Sequence, residues 1–190
     1  MTERAPRPNG FGPDQRIELT GHDSDWRAKF DEESIRLSHA LVISGARIAH
    51  VGSTAVQGLA AAPSIDVMIG VDRYPPTPAF FEPLAELGYV AGGERGLPGR
   101  LLFMKRADSA FDVHLTQFRG PVWRDALMLR DYLAADAAAA ARYGQRKREI
   151  LAAAQARLED YARLKTALLA QLLDDARRWK PGEAALRQSG

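Results

Sequence analysis

The sequence predicts an α+β protein in which short strands in the middle of the chain are followed by a long helical region. Two observations carry this prediction. First, β-prone runs broken by Gly and Pro occur between residues 47 and 118, with one helical pattern among them. Second, the residues after Pro121 are rich in Ala and Leu and contain no Pro or Gly except Gly144 before Pro181. Such an order is typical of a sheet with helices packed against it.

The composition is that of an ordinary globular protein. The chain has 190 residues, 46% of them apolar and 26% charged, and a formal net charge of +2. A chain of this length can bury roughly 70% of the surface that its unfolded form exposes, so one core needs no covalent staple. The chain contains no cysteine, which excludes disulfides, cysteine zinc ligands and a cysteine nucleophile.

The sequence also favours a cytoplasmic protein without a membrane partner. No run approaches 18 uninterrupted apolar residues, and no apolar stretch follows the first eight residues, so neither a membrane span nor a signal peptide is expected. The absence of cysteine fits a reducing compartment. The C-terminal third is the most basic, but its aromatic residues are scattered rather than interleaved with a basic stripe, which disfavours nucleic acid as a partner.

We expect three segments along the chain. A flexible arm over residues 1–20 is followed by one domain over 21–180, with a sheet core at 45–119 and a helical part at 121–180, and by a tail over 181–190. The start of the arm combines prolines, glycines and charges and can bury little surface.

The first regular element is an amphipathic helix predicted over residues 24–44. Ser24 or Asp25 can cap it, and Gly45 marks its end. Apolar side chains recur near helical spacing within it: Trp26, Phe30, Ile35, Leu37, Leu41 and Val42.

Four strand candidates occupy residues 47–51, 64–71, 100–105 and 111–118. Between the second and third of them, the spacing of apolar residues predicts a helix from Pro78 to Leu87, with Gly88 at its stop position.

The helical part after Pro121 carries an apolar stripe that needs a partner surface. Its members step by three, four or seven residues: Leu151, Leu158, Tyr161, Leu164, Leu168, Leu172 and Trp179. We expect the stripe to pack on the sheet or on Trp26 and Phe30. The pattern is longer than globular helices usually are, so a break is expected near Gly144 or at residues 155–157.

The most unusual segment joins the first two strand candidates. A strand ends at Gly52-Ser53, a short run of small residues follows, and the next strand brings up Asp66. A Gly-Ser pair that opens a helix lets backbone N–H groups approach an anion, and a neighbouring carboxylate can hold a divalent ion on the same phosphates. Alternatively, Gly52 serves a tight turn, Ser53 or Thr54 caps a helix, and Asp66 is structural. Neither a Walker loop nor a Gly-x-Gly-x-x-Gly motif is present.

Five groups of residues in this chain resemble the GrpB family of nucleotidyltransferase-fold proteins. They are His50 to Ala61, Pro63 to Asp66, Trp123 with Arg130 to Leu133, Tyr143 with Lys147, and Tyr161 to Lys165. The resemblance spans roughly residues 20–178, and the first group is highly specific.

The resemblance implies a nucleotidyltransferase-like mixed sheet flanked by an N-terminal helix and long C-terminal helices. In that fold Gly52, Ser53 and Thr54 would hold the phosphates of a nucleoside triphosphate, and strand carboxylates would hold Mg²⁺. Members of the family also occur fused to dephospho-coenzyme A kinase, which implies nucleotide-like or coenzyme A-related ligands.

The chain departs from this pattern at four positions, one of which is Asp112, where the family tends to have His. Gln57 stands where the family usually has Pro, and Ala62 replaces a Lys that could have paired with phosphate. Met68 follows Asp66 at the spacing where active members of the superfamily present a second acid. One of the paired acids is therefore missing, and a metal site needs a ligand from elsewhere.

The best source of that ligand is Asp112-Val-His114, because strand alternation puts both side chains on one face. Asp112 could join Asp66 in holding the metal, and His114 could act as a ligand or an acid–base group. The alternative for His114 is a partly buried histidine bonded to a neighbouring carbonyl.

Five further residues are candidates for ligand contact. His50 could contact a phosphate or orient Asp66, or it could make a structural hydrogen bond. Arg100 and Lys105 could face a triphosphate, or they could keep a hairpin soluble. Tyr161 and Lys165 lie four residues apart on one helical face and would meet a ligand together, or they could form a packing pair.

Two main functional hypotheses follow. The first is a nucleotidyltransferase-like enzyme that uses Mg²⁺ to pass a nucleotidyl group in line from a nucleoside triphosphate to an unknown small-molecule acceptor, chiefly by positioning and charge neutralisation. The alternative, favoured by Met68 and Ala62, is a non-catalytic module that binds a nucleotide or a coenzyme A-related ligand. A weaker third hypothesis is RNA binding by the basic C-terminal helices.

Overall fold

A computed structural model of the chain describes residues 18–43, 45–155 and 158–179, without the side chains of residues 46, 158, 159 and 162. Most of the predicted arm and the whole predicted tail lie outside these residues. Thr20, the last residue of the predicted arm, pairs with Ala61 through two backbone hydrogen bonds of 2.9 and 3.0 Å.

The described residues form a five-stranded sheet and five α-helices. The strands are β1 (Ile48–Val51), β2 (Ser64–Val71), β3 (Val90–Gly93), β4 (Arg100–Arg106) and β5 (Ala110–Gln117). The helices are α1 (Asp25–Ala40), α2 (Phe81–Glu86), α3 (Pro121–Ala135), α4 (Ala137–Ala153) and α5 (Leu158–Arg178). This arrangement confirms the predicted α+β class, with an N-terminal helix and long C-terminal helices around the sheet.

The sheet is mixed and has the strand order β1-β2-β5-β4-β3. Strand β2 pairs in parallel with β5, and the remaining neighbours are antiparallel. In the parallel pair Asp66 lies opposite Asp112, and Met68 lies opposite His114. Because side chains alternate along a strand, these four residues lie on one face of the sheet.

The opposite face carries the main core. Odd-numbered residues of β2 and β5, such as Val67 and Val113, are fully buried there against helices α1 and α2. The other members of this core include Trp26, Phe30, Leu37, Ile65, Ile69, Leu84, Phe111 and Leu115. Alternation in β2 and β5 therefore separates a packed face from the face that carries Asp66 and Asp112, which we call the Asp66 face.

Helix α1 ends four residues before its predicted boundary. Leu41 caps the helix, and Val42 has a positive φ of 52°, which takes the chain out of the helical conformation. The helix predicted over 78–87 begins as a 3₁₀ turn at Pro78–Phe80 and continues as α2. Strand β3 was not predicted, because it is short, largely exposed and ends in two glycines.

The helical part breaks twice. Helix α4 ends at Ala153, and Gln155, the first residue of the predicted break at 155–157, has a positive φ of 49°. Residues 156 and 157 lie outside the described part of the chain. The other break lies at Asp136 rather than at Gly144, so the prediction of a break at Gly144 is wrong. Gly144 lies buried inside α4, and a Cβ there would be 3.4 Å from Leu59 Cδ1. The glycine thus allows close packing between α4 and the segment before β2 rather than a turn.

Three members of the predicted apolar stripe lie neither on the sheet core nor on Trp26 and Phe30, while the side chain of Leu158 lies outside the described residues. Leu168, Leu172 and Trp179 belong to a second core with residues of α3, α4 and the β1–β2 connection. The connection contributes Val56 and Leu59 to this core. Helix α5 therefore packs on α3 and α4, and it helps to anchor the segment that leads from the Gly52–Ser53 turn.

No described helix is both long enough and apolar enough to cross a lipid bilayer.

Candidate functional site

The Gly52–Ser53 turn lies directly against the carboxylate of Asp66. Strand β1 ends at Val51, and Gly52 adopts φ 74° and ψ −169° before a 3₁₀ turn at Ser53–Ala55. A Cβ added at Gly52 would be 2.1 Å from Asp66 Oδ2. No larger residue fits this position without displacing the Asp66 side chain. Glycine therefore allows the backbone of the turn to lie in direct contact with the carboxylate.

Two successive side-chain hydrogen bonds, from Arg100 to His114 and from His114 to Asp66, hold Asp66 in this position. His114 Nε2 lies 2.8 Å from Asp66 Oδ1, and Arg100 Nη1 lies 3.2 Å from His114 Nδ1. A guanidinium can only donate hydrogen bonds, so His114 Nδ1 accepts and Nε2 carries the proton that is donated to Asp66. The alternative role predicted for His114, a bond to a backbone carbonyl, is not what the structure shows.

The surroundings keep Asp66 ionised. Burial alone would raise the pKa of its carboxyl, but the hydrogen bond from His114 and the positive charge of Lys165 lower that pKa. The side chain retains 31% exposure, so a ligand can approach the charged group from solvent.

Asp112 lies beside Asp66 and is engaged through both oxygens. Arg106 Nη2 donates to Oδ1 at 2.7 Å, and Ser64 Oγ donates to Oδ2 at 2.8 Å. The two predicted carboxylates are therefore neighbours in register, and each already has partners within the protein.

A buried lysine lies beneath the turn. Lys147 of α4 is 1% exposed, and its ammonium donates to Ser53 Oγ at 3.0 Å and to the backbone oxygen of Ala60. The same ammonium lies 4.7 Å from the centre of the Tyr143 ring. Among the residues whose side chains are described, no carboxylate forms an ion pair with it. Burial, with the charge of Lys165, lowers the pKa of Lys147 to about 7.

Lys165 of α5 adds a second ammonium close to the carboxylates. Its pKa is raised, first by Tyr143 and then, against desolvation, by Tyr161, Asp66 and Asp112. Its Nζ lies 5.9 Å from the ring centre of the buried Tyr161. The predicted pair of Tyr161 and Lys165 therefore lies together, and its lysine is near Asp66.

Lys105 is not brought to this site. It projects from β4 to the packed face of the sheet, where it forms an ion pair with the fully buried Glu33. Glu33 also accepts hydrogen bonds from Tyr89 Oη at 2.8 Å and Arg36 at 3.0 Å. The structure thus corrects the prediction that Lys105 faces a ligand, because one step along the strand moves a side chain to the other face.

His50 also points away from Asp66. Its ring is buried, stacks on Phe30 with 4.6 Å between centroids, and shares a hydrogen bond of 3.0 Å with Thr54 Oγ1. Burial lowers the pKa of His50 to about 4, so the ring is neutral. His50 therefore makes a structural hydrogen bond, which was the alternative role given for it in the sequence analysis. This bond holds Thr54 at the turn.

Sequence reasoning did not select four residues that contact the predicted site: Ser64, Arg106, Tyr143 and Lys147. A signal for two of them is present, because Tyr143 and Lys147 repeat the four-residue spacing of Tyr161 and Lys165 on a different helix. The roles of Ser64 and Arg106 depend on sheet pairing and carry no comparable signal.

The residues around Asp66 do not fit the two-metal site that the resemblance implies. Among the described residues, no group of three or more His, Asp or Glu side chains could hold a metal ion. Met68 occupies the position of the second acid and is buried with Val51 and Trp123. Both Asp112 oxygens and one Asp66 oxygen already accept hydrogen bonds.

The same residues carry an excess of positive charge. Arg100, Arg106, Lys147 and Lys165 surround two carboxylates, Asp66 and Asp112. An anion beside the Gly52–Ser53 turn would meet both lysines and the free backbone surface of the exposed Gly52.

A protein-family model described as GrpB protein matches residues 16–175 of this chain. The chain belongs to the GrpB family. The family resemblance predicted from the sequence is therefore confirmed.

Two relatives give the range of similarity within the GrpB family. The UPF0157 protein YqkA of Bacillus subtilis is 30% identical over 171 residues, which cover 90% of this chain and 50% of that protein. A UPF0157 protein of Deinococcus radiodurans is 32% identical over 152 residues, which cover 80% of this chain and 77% of that protein. The chain spans half the length of the Bacillus subtilis relative.

One solved structure supports the same family. The crystal structure of the conserved protein GrpB from Enterococcus faecalis has a TM-score of 0.74 and 28% identity, and the match covers 86% of this chain and 100% of that one. A weaker match, to the Cid1 poly(U) polymerase, has a TM-score of 0.47 and 16% identity and covers 77% of this chain and 49% of that one. A likeness of that size indicates nothing about substrate.

Proposed function

We propose that this GrpB-family protein binds a nucleotide, or a related phosphate-bearing ligand such as coenzyme A, at the Gly52–Ser53 turn. The observation that carries the proposal is Lys147, which is buried beneath the turn on Ser53 Oγ without an ion-paired carboxylate among the described side chains. Removing an ammonium from water is unfavourable unless a counter-charge compensates it. A phosphate at the turn would provide that counter-charge.

Each residue that remains at the site would have its own role in binding the ligand. The backbone N–H groups of Gly52, Ser53 and Thr54 and the Ser53 hydroxyl would bind phosphate oxygens, since such a turn presents donors to an anion. The N–H of Ala55 is already used, because it donates to the backbone oxygen of Gly52. Lys165 would pair with the same charge from the side of α5. Tyr161 would position Lys165, and Arg100 would hold His114, which fixes the orientation of the Asp66 carboxylate beside the turn.

Nucleotidyl transfer is a second candidate for the same ligand. One observation favours it: Asp66 and Asp112 lie side by side on the Asp66 face, in register on parallel strands. The chain's residues would hold the nucleotide so that an acceptor can attack in line, and no covalent intermediate with the protein is required. Mg²⁺ is the cofactor that the resemblance predicts for such a transfer, although the described donor set does not fit it.

Titration calorimetry with ATP, ADP, pyrophosphate and coenzyme A tests the binding proposal. We expect saturable binding of at least one phosphate ligand and a loss of roughly tenfold or more in affinity in Lys165→Met, since one close charge pair is worth about 1.4 kcal/mol or more at a half-buried site. Lys29→Met removes the same charge from α1 and should leave the affinity unchanged. Equal losses in both variants would contradict the proposed site.

A pyrophosphate-release assay distinguishes the two candidates. Release of pyrophosphate from a nucleoside triphosphate in the presence of candidate acceptors, with and without Mg²⁺, supports transfer. Binding without release supports the non-catalytic alternative.

A further inference from the structure

This inference rests on the proposed function and concerns how the charge of the ligand is neutralised. In a metal-dependent phosphate site, carboxylates with free oxygens hold the cation that bridges to the phosphates. Here Asp112 accepts from Arg106 and Ser64 with its two oxygens, and Asp66 accepts from His114 with one. The other oxygen of Asp66 lies against Gly52. Neither acid offers a metal two unengaged oxygens.

Basic side chains occupy the place where a cation would be needed. Lys147 lies on Ser53 Oγ, within the turn itself. Lys165 is close enough to both acids for Asp66 and Asp112 to raise its pKa, and it lowers the pKa of Asp66 in turn. Arg100 is partly buried, and among the described residues its Nε has no hydrogen-bond partner.

The position that would complete a metal site is used for packing. Met68 is 3% exposed and lies in a small core with Val51 and Trp123. An acid at this position would be buried among apolar side chains, so the second carboxylate is replaced by a residue that fixes α3 on the sheet.

We propose that the site takes the polyphosphate part of its ligand as a free anion, with Lys147 and Lys165 supplying the positive charge in place of a divalent cation. Asp66 and Asp112 then balance the basic side chains while the site is empty. Once the anion is bound, the carboxylate of Asp66 repels it. Removing that charge therefore strengthens binding, whereas in a metal-dependent site the same change removes a ligand and weakens binding.

Pyrophosphate is the probe for this inference, because it carries the phosphate charge without a base or sugar. Its affinity is measured by calorimetry in excess EDTA and again with Mg²⁺, for the wild-type protein, Asp66→Asn and Asp112→Asn. Asn keeps an oxygen that can accept the hydrogen bond from His114. Glu82→Gln, on the exposed side of α2, removes one negative charge far from the Asp66 face and serves as the control.

We expect binding in EDTA at least as tight as with Mg²⁺, and an affinity in EDTA raised roughly threefold to tenfold in Asp66→Asn, from the loss of one nearby like charge. Glu82→Gln should leave the affinity unchanged. Thermal melting of Asp66→Asn checks that it is folded, and Asp112→Asn should change the affinity in the same direction if Asp66→Asn is not folded.

Two results would overturn the inference. The first leaves the proposed phosphate binding intact, and the second contradicts it as well. Binding that requires Mg²⁺ and is abolished in Asp66→Asn contradicts the metal-free site but leaves phosphate binding at the turn intact. Absence of binding by pyrophosphate, nucleotides and coenzyme A in both conditions contradicts the proposed function itself, and the inference with it.

Discussion

Two glycines of the β1–β2 connection, Gly52 and Gly58, show why single residues are required near the turn. Gly52 and Gly58 both have a positive φ, of 74° and 77°, so alanine is strained at either position. At Gly52 a Cβ would also collide with the Asp66 carboxylate, whereas at Gly58 no atom lies within 4 Å of it. Comparing alanine variants at the two positions therefore separates the effect of the clash with Asp66 from the effect of backbone strain.

We expect Gly58→Ala to lower the free energy of unfolding by about 1 kcal/mol, from strain alone. Gly52→Ala should lower it by about 3 kcal/mol or more, since overpacking adds to the strain, and should also weaken phosphate binding. Urea denaturation measures both values. Equal losses in the two variants would show that Asp66 does not lie against the turn.

Lys147 makes stability depend on pH in a defined window. Burial lowers its pKa from 10.5 to about 7, so between pH 7 and 10.5 the unfolded chain binds more protons than the folded one. Stability should therefore rise with pH across that window, and the unfavourable burial of the charge is complete below pH 7. The charged and titratable groups that face Lys147 are Lys165, Asp66, Arg148 and Tyr143.

From pH 7 to 9 we expect the free energy of unfolding of the wild-type protein to increase by about 2 kcal/mol relative to Lys147→Met. The variant removes the titrating group and keeps a similar volume. Denaturation at several pH values between 7 and 9 measures the difference. A constant difference between the two proteins would mean that Lys147 is protonated throughout.

At the scale of elements, the α3–α4 break depends on a local cap. Asp136 has an extended conformation, and its side chain accepts a hydrogen bond of 2.8 Å from the backbone N–H of Ala139. This is the N-cap that starts α4, the helix that carries Lys147. An acid within an alanine-rich stretch was therefore the signal for a helix start.

Asp136→Ala should lower the free energy of unfolding by about 1 kcal/mol, whereas Asp136→Asn should retain most of the stability because asparagine caps equally well. Thermal and urea denaturation of the two variants measure the difference. If both lose the same amount, the charge of Asp136 rather than the cap stabilises the helix start.

The elements differ in how well the sequence predicts them. Strands β2 and β5 were predictable because both are long runs of β-prone residues. The end of α4 just before the predicted break was predictable because the apolar pattern was too long for one helix. The break at Asp136 was missed because helix propensity is high on both sides of it. Gly144 was misleading because a glycine weakens a helix in isolation, while here it allows close packing on Leu59.

For the whole molecule, the two faces of the sheet have separate tasks. The packed face holds helices α1 and α2 and contains a buried ion pair between Glu33 and Lys105. The Asp66 face carries Arg100, His114 and the two acids. Variants on the two faces should therefore affect different measurements.

Lys105→Met should lower the free energy of unfolding by about 3 kcal/mol, because it leaves a buried carboxylate without its ammonium, and should leave pyrophosphate affinity within about twofold. Compared with Lys105→Met, Arg100→Met should change the free energy of unfolding less and the affinity for pyrophosphate more. Chemical denaturation and calorimetry on both proteins test this separation. A large loss of affinity in Lys105→Met would mean that the packed face contributes to the site.

The site as a whole was only partly predictable from the sequence. The convergence of the Gly52–Ser53 turn with Asp66 was expected because the two lie on consecutive strands of the chain. The convergence of Asp66 with Asp112 was expected from the family resemblance. His50 and Lys105 could not be placed, because their face depends on the register of β1 and β4. Lys147 was missed as a site residue because it reaches Ser53 across 94 positions of sequence, a contact that only the packing of α4 creates.

Amide chemical shifts of the ¹⁵N-labelled protein during a titration with pyrophosphate test the central claim most directly. Binding at the turn predicts that the largest changes occur at Gly52, Ser53 and Thr54. It also predicts that their midpoint moves to a roughly tenfold or more higher pyrophosphate concentration in Lys165→Met and does not move in Lys29→Met. Changes confined to other segments, or none at saturating pyrophosphate, would contradict the account.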